Sequence, residues 1–151
     1  MKGAYAKIEA KKRGRLCGQM IVGTGVDLVS IPRIERVYRR HAMRFLRRVF
    51  STTELALLMA RPFPLPSIAA RFAAKEAVLK AIGCGIGPAS LREVEILAKR
   101  GQKPAVRLSG WAARLAGERG INAVELSMAH ESPFACAVAI AYRKQEMGGE
   151  G

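Results

Sequence analysis

Glu76 and Lys80 stand one helical turn apart in Arg71-Phe-Ala-Ala-Lys-Glu-Ala-Val-Leu-Lys-Ala-Ile-Gly83, a stretch otherwise rich in apolar residues. The segment predicts a helix: it is alanine-rich, has no internal Gly or Pro, and ends on a glycine where a C-cap residue belongs. At about 100° per residue, Leu79, Phe72, Glu76, Lys80 and Ala73 share one face, and Ala77, Ala81, Ala74 and Val78 the other. A helix apolar nearly all round is a buried one, and Glu and Lys are rarely buried without a partner. The pair is either an ordinary i,i+4 ion pair, worth about 0.2–0.5 kcal/mol at a surface, or two groups held for chemistry.

A second candidate is Asp27, the chain's one aspartate among 12 acidic residues. It lies in Ile21-Val-Gly-Thr-Gly-Val-Asp-Leu-Val-Ser30, an apolar run with strand character, where Asp is disfavoured. It could cap the following helix, but Ser30 ahead of Pro32 is the better cap. One carboxylate on a strand and another on a buried helix could converge on a hard cation. Magnesium is usually held by one or two carboxylates, with waters and substrate phosphates completing its shell.

The elements that must position these residues form one domain of 151 residues with a formal net charge of +14. Such a charge implies an acidic partner: nucleic acid, an anionic membrane, an acidic protein or a polyphosphate ligand. No run approaches the roughly 18 apolar residues of a membrane span, and no signal-peptide core is present, so a cytoplasmic protein is expected. Cys17, Cys84 and Cys136 are far apart and without a CxxC pattern, and only His41 and His130 accompany them. Neither a disulfide framework nor a zinc site is supported.

Residues 1–19 read as a disordered basic extension, or as the product of a start codon placed too far upstream, with Met20 a natural start. Residues 20–145 read as the folded domain and 146–151 as a flexible tail. A strand is expected over 21–31 and a helix over about 32–49, with Ile34, Tyr38, Phe45 and Val49 on its apolar side. On its other side Arg33, Arg36, Arg40, Arg44 and Arg47 make a continuous stripe, with Arg39 and Arg48 nearby. A solvated face is the bland alternative, but same-sign i,i+4 pairs destabilise a helix, a cost that binding would justify. Ser51-Thr-Thr-Glu54 is a capping-box pattern opening a short helix. The three prolines of Arg61-Pro-Phe-Pro-Leu-Pro66 predict a loop. Gly83-Cys-Gly-Ile-Gly-Pro88 reads as a flexible turn, residues 91–98 and 104–108 as strands, and Ser109 as the start of a helix whose Trp111 and Leu115 point to the core. Two last strands, 121–128 and 134–142, are joined by a loop carrying His130, a residue either incidental or available to a phosphate or carboxylate.

These segments together resemble the short bacterial holo-acyl-carrier-protein synthases of the 4′-phosphopantetheinyl transferase family. Gly23-Thr-Gly-Val-Asp-Leu-Val-Ser-Ile-Pro-Arg-Ile-Glu35 resembles the family's Gly-x-Gly-x-Asp opening with its following Arg-Ile. Arg71–Gly83 resembles its central signature almost residue for residue. Gly85-Ile-Gly87, Lys103-Pro104 and Ser127-Met-Ala-His130 follow in the expected order, so the match runs from about residue 21 to 143. The resemblance implies an α+β fold, a small antiparallel sheet packed with helices. It implies transfer of the 4′-phosphopantetheine arm of coenzyme A to a serine of apo-acyl carrier protein, releasing 3′,5′-ADP, in support of fatty acid biosynthesis.

By the same resemblance Asp27 and Glu76 are Mg²⁺ carboxylates, and Lys80 contacts the pyrophosphate and serves the leaving phosphate. The serine proton goes to Glu76 or to a water on the metal; both stay open. His130 and Arg71 become contacts for the nucleotide's phosphates. Arg33, Arg40 and Arg44 become a dock for the acidic carrier protein, and a homotrimer with active sites at subunit interfaces is expected. The chain departs from the pattern in the extension before Met20, in Gly101 standing one place before Gln102-Lys103-Pro104, and in Ala129 where a hydroxyl residue often precedes the histidine. A nucleic-acid-binding protein is the rival class for so basic a chain, but only nine aromatics are present and the arginine stripe is not interleaved with them.

Overall fold

Small residues set the central contact of the fold. In the computed structural model, which describes residues 18–84, 89–98 and 102–145, strand β1 (Gln19–Ser30) pairs antiparallel with β5 (Phe134–Lys144), and β5 pairs antiparallel with β4 (Ala123–Glu131), giving the order β1-β5-β4. Helix α3 (Leu65–Ala81) lies across all three strands. Its Ala69, Ala70, Ala73, Ala74, Ala77 and Ala81 are buried, as are Ala135, Ala137, Ala139 and Ala141 at alternate positions of β5. Alternation puts those four alanines on one side of the sheet. Close approach is enforced at β1: a Cβ on Gly23 would lie 2.1 Å from the Ala81 carbonyl oxygen, and one on Gly25 2.0 Å from that of Ala77.

The remaining elements are α1 (Ile31–Val49), α2 (Thr52–Met59), a short 3₁₀ turn (Leu91–Glu93), β2 (Val94–Leu97), β3 (Ala105–Leu108) and α4 (Gly110–Glu118). β2 and β3 form a separate antiparallel hairpin. The expected caps are present. Ser30 Oγ accepts from the Arg33 amide at 3.4 Å. At the start of α2, Ser51 Oγ accepts from the Glu54 amide at 3.2 Å while Glu54 accepts from the Ser51 amide at 2.8 Å.

Several expectations change. Helix α1 is broken at Ala42, where φ is 36° and ψ is −119°. The arginine stripe is therefore two segments, Arg33, Arg36 and Arg40 before the break and Arg44 and Arg47 after it, and the shifted phase buries Leu46 beside Val49. The loop at the prolines ends at Pro64: Pro66 is taken into the first turn of α3, where its missing N–H has no intrahelical partner to lose. Residues 91–93 form a 3₁₀ turn instead of strand. Trp111 is 41% exposed rather than in the core. Ala112 and Ala116 take the buried side of α4, and the Trp111 ring lies 5.5 Å from the Arg114 guanidinium carbon. β4 runs on to Glu131, so His130 is on a strand and not in a loop. The extension over 1–17, the turn residues Gly85 to Pro88, Gly101 and the 146–151 tail lie outside the described residues.

The largest surprise in the core is ionic. Lys75 and Glu54 are both 0% exposed and paired at 2.8 Å. Removing one partner of such a pair leaves an uncompensated buried charge, at a cost of about 3–5 kcal/mol. The opposite side of the sheet is apolar and open: Val26 is 61% and Leu28 64% exposed, and Phe134 and Val138 are also exposed.

Candidate active site

Gly23, Gly25 and Asp27 occupy alternate positions of β1 and so face the same side, toward α3. The two glycines let α3 come close enough for its side chains to meet Asp27. Lys80 Nζ donates to the Asp27 carboxylate at 2.8 Å and to the Val26 carbonyl at 3.0 Å. Lys80 thus pairs with Asp27 across the strand–helix contact, which replaces the i,i+4 pairing with Glu76 that spacing alone allowed.

Glu76 is half-buried, one turn before Lys80. Its proton affinity is raised above the ordinary carboxyl value, first by burial and then by the neighbouring Asp27 charge, with Lys80 opposing. Two carboxylates therefore lie near enough to repel, and the Lys80 ammonium is paired with one of them. A cleft of about 480 Å³ opens here, lined by Asp27 and Glu76, by the apolar Val29, Ile34, Phe45, Phe72 and Phe134, and by Arg33. It brings a polar corner of two carboxylates against an apolar wall.

The donor set fits a hard divalent cation. The described residues contain no group of three or more His, Cys, Asp or Glu side chains that would enclose a metal. Two oxygen donors with room beside them suit an ion that keeps waters and takes substrate phosphates, and a cation would offset both the burial and the Asp27 repulsion that raise Glu76.

The other expected residues are distributed differently. Arg33, Arg40 and Arg44 are all exposed, and Arg33 reaches the cleft itself. His130 is exposed on β4, opposite Ala135 of β5, which in turn pairs with Val29 of β1. That places it on the Asp27 side of the sheet, two strands from β1. Arg71 is 3% exposed, donates to the Ala98 carbonyl at 3.0 Å, and leaves its Nε without a partner among the described residues. It lies about 140° round α3 from Glu76, on another face of the helix. Arg71 and Glu76 therefore do not converge.

Lys75 and Glu54 escaped the sequence reading. The signal is available: Lys75 is one of four charged residues on the same apolar helix, and Glu54 fits a capping box that explains it locally. Nothing in the spacing says that residues 21 apart meet.

Residues 23–139 match the family described as the 4′-phosphopantetheinyl transferase superfamily. A holo-[acyl-carrier-protein] synthase of Desulforudis audaxviator is 46% identical over 127 residues, covering 84% of this chain and 97% of that protein. The crystal structure of the holo-[acyl-carrier-protein] synthase of Neisseria meningitidis superposes with a TM-score of 0.74 at 36% identity, covering 81% of this chain and 98% of that one. The Helicobacter pylori enzyme, solved in complex with coenzyme A, gives a TM-score of 0.68 at 34% identity, covering 78% and 98% of the two chains. With its Gly-x-Gly-x-Asp strand laid against the Glu76–Lys80 helix in the same α+β fold, the chain belongs to the 4′-phosphopantetheinyl transferase superfamily.

Proposed function

We propose that this protein is a holo-acyl-carrier-protein synthase, moving the 4′-phosphopantetheine group of coenzyme A onto a serine of apo-acyl carrier protein for fatty acid biosynthesis. The observation that carries the reading is the Lys80 ammonium held on Asp27 at 2.8 Å beside the raised carboxyl of Glu76. A pyrophosphate substrate needs this combination of an ammonium and a carboxylate pair able to hold a cation.

Asp27 and Glu76 would hold Mg²⁺, which when bound neutralises pyrophosphate charge and polarises the phosphoryl oxygens. Lys80 would contact the leaving phosphate and supply its proton. The serine oxygen attacks the β-phosphorus of coenzyme A as the bond to 3′,5′-ADP breaks. Glu76 or a water beside it would take the serine's proton. The apolar wall keeps water from competing with the serine. His130, being exposed, is the proposed contact for the nucleotide's phosphates, whereas Arg71 is buried on another face of α3.

Arg33, Arg40 and Arg44 are the proposed dock for the acidic carrier protein. Arg33 lines the cleft, so the basic surface runs directly into the reaction site. We assign the open apolar sheet face to contacts in a homotrimer. Leu28 and Phe134 belong both to that face and to the cleft, so a second copy covering the face would border the active site. No helix among the described residues is long and apolar enough to cross a membrane.

The test is direct. The protein, coenzyme A, Mg²⁺ and a proven apo-acyl carrier protein are incubated, and the carrier is weighed by mass spectrometry. A phosphopantetheine-sized increase is expected; an unchanged carrier mass overturns the assignment.

A further inference from the structure

Lys75 immediately precedes Glu76, is fully buried, and has no part in the chemistry above. Its ammonium has three protons, and all are engaged: by the Glu54 carboxylate at 2.8 Å, by the Leu91 carbonyl at 3.0 Å, and by the Val94 carbonyl. Glu54 is also gripped by backbone amides. One oxygen accepts from the Ser51 amide at 2.8 Å and the other from the Ile96 amide at 2.9 Å. One turn earlier on α3, Arg71 donates to the Ala98 carbonyl. The back of α3 is therefore tied at two levels to the β2 strand region, and through Glu54 to α2.

The front of α3 has no buried ammonium; its one such tie among the described residues is the half-exposed Lys80, on Asp27 and the Val26 carbonyl. There Ala77 and Ala81 meet Gly23 and Gly25. Methyl groups against glycines set how near helix and strand come, but they give shallow ridges with which to fix rotation about the helix axis. Hydrogen bonds to an ammonium are directional and do fix it. Glu76 follows Lys75 by about 100° of helix, so a rotation of α3 carries Glu76 and Lys80 together past Asp27, whose own place is set by the sheet.

We propose that the buried Lys75–Glu54 pair is a positioning device for the reaction: it sets the rotation of α3 at which Glu76 and Lys80 meet Asp27. The proposal rests on the reading of Asp27, Glu76 and Lys80 as the reaction centre. Its rival is a pair that only stabilises the core, and buried pairs are often replaceable without loss of stability.

Either residue changed alone leaves a buried group unpaired and mixes position with stability, so the test is the double variant Glu54→Gln/Lys75→Met. The glutamine oxygen can still accept from Ile96, its NH₂ can still donate to a carbonyl, and the methionine fills the lysine's volume. The expected result is a folded protein whose kcat falls by about 10- to 100-fold, the scale of an ångström-sized misplacement. KM for coenzyme A should stay within about twofold, and Mn²⁺ binding followed by electron paramagnetic resonance should weaken in parallel. Normal kcat and Mn²⁺ binding in the folded double variant overturn the proposal. Glu54→Asp keeps both charges and shortens the tether by one methylene, so it serves if the double variant does not fold; it should show the same split in milder form, and unchanged kcat in it is equally fatal. A crystal structure of the folded variant separates this proposal from the function it rests on. A Lys80–Asp27 pair still at 2.8 Å overturns the positioning role, whereas a parted pair with full transfer activity overturns the reaction-centre assignment instead.

Discussion

Lys80 on α3 and Asp27 on β1 are joined at 2.8 Å, and the joint exists because Gly23 and Gly25 let the helix backbone within reach of the strand. The Lys80 side chain is half-exposed, so the ion pair itself adds little to stability, about 0–1 kcal/mol at most. Its value lies in holding an ammonium on Asp27, one of the two carboxylates that line the cleft.

That separation of roles makes Lys80→Met a clean test. The variant should fold with a nearly unchanged thermal midpoint and still bind coenzyme A. Its kcat for carrier modification should fall by about 10²–10³, the loss seen when a transition-state donor is removed. Single-turnover mass spectrometry of the carrier gives the rate; a loss smaller than tenfold would mean that Lys80 does not serve the leaving phosphate.

Glu76 gives a prediction in stability with a definite sign. Burial and Asp27 raise its folded-state proton affinity above that of the unfolded chain. The folded state then favours the protonated carboxyl, so Glu76's contribution to stability is full below about pH 4.3, the unfolded value, and is lost as pH rises through the folded-state pKa. Glutamine mimics the protonated form at every pH. In metal-free buffer, Glu76→Gln should therefore match the parent protein in acid and become more stable than it as pH rises, the gap levelling off above the folded-state pKa. Thermal melts across pH 4–8 measure this. The same substitution should abolish transfer when metal and substrates are supplied.

The strand–helix contact is tested at Gly25. A Cβ there would sit 2.0 Å from the Ala77 carbonyl oxygen, a backbone atom that cannot swing aside. Gly25→Ala should destabilise the fold by about 1–3 kcal/mol, the usual range for overpacking, and should also reduce activity by pushing α3 off Asp27. Urea unfolding with the transfer assay on the same sample reads both; an alanine variant as stable and active as the parent would show that the close approach is not needed.

Much of this architecture was legible in the sequence because it is local. The Ser30 and Ser51 caps, the helix through Glu76 and Lys80 and the two last strands follow from periodicity and turn chemistry within a few residues. Asp27 stood out because an aspartate in an apolar strand lacks a local reason. What escaped depends on distant neighbours. Trp111 is expected in the core, but Ala112 and Ala116 take the buried side of α4 and the indole lies beside Arg114 instead. Lys75 and Glu54 meet across 21 residues, and no helical wheel contains that partner. The break in α1 was equally hidden, since an alanine inside an arginine-rich helix gives no sign of a positive φ.

That break carries its own prediction. Ala42 has φ 36° and ψ −119°, a conformation natural to glycine and costly to an L side chain by about 1–3 kcal/mol. Glycine adds flexibility to the unfolded chain, at about 0.5–1 kcal/mol. The net expectation for Ala42→Gly is stabilisation of about 1 kcal/mol, a rise of about 2–4 °C in thermal midpoint for a chain of this size. Ala42→Val should lower the midpoint. Calorimetry of the two variants decides it, and a glycine variant less stable than the parent would show that the break is not strained.

The divided arginine surface leads to the last prediction. Arg40 lies just before the break and Arg44 just after it, and neither forms an ion pair among the described residues, whereas Arg39 is held on Glu35 at 2.6 Å. Two exposed guanidinium groups on α1, the helix whose Arg33 lines the cleft, suit an acidic protein better than a small ligand bound deep in it. Arg40→Glu/Arg44→Glu should therefore raise KM for the carrier protein at least tenfold at low salt, since reversing a charge turns attraction into repulsion. The effect should shrink as ionic strength rises toward 1 M, where the screening length falls to about 3 Å. Coenzyme A affinity, measured by calorimetry without carrier, should stay unchanged. If both affinities fall together, the arginines serve the nucleotide; if neither moves, the carrier docks elsewhere.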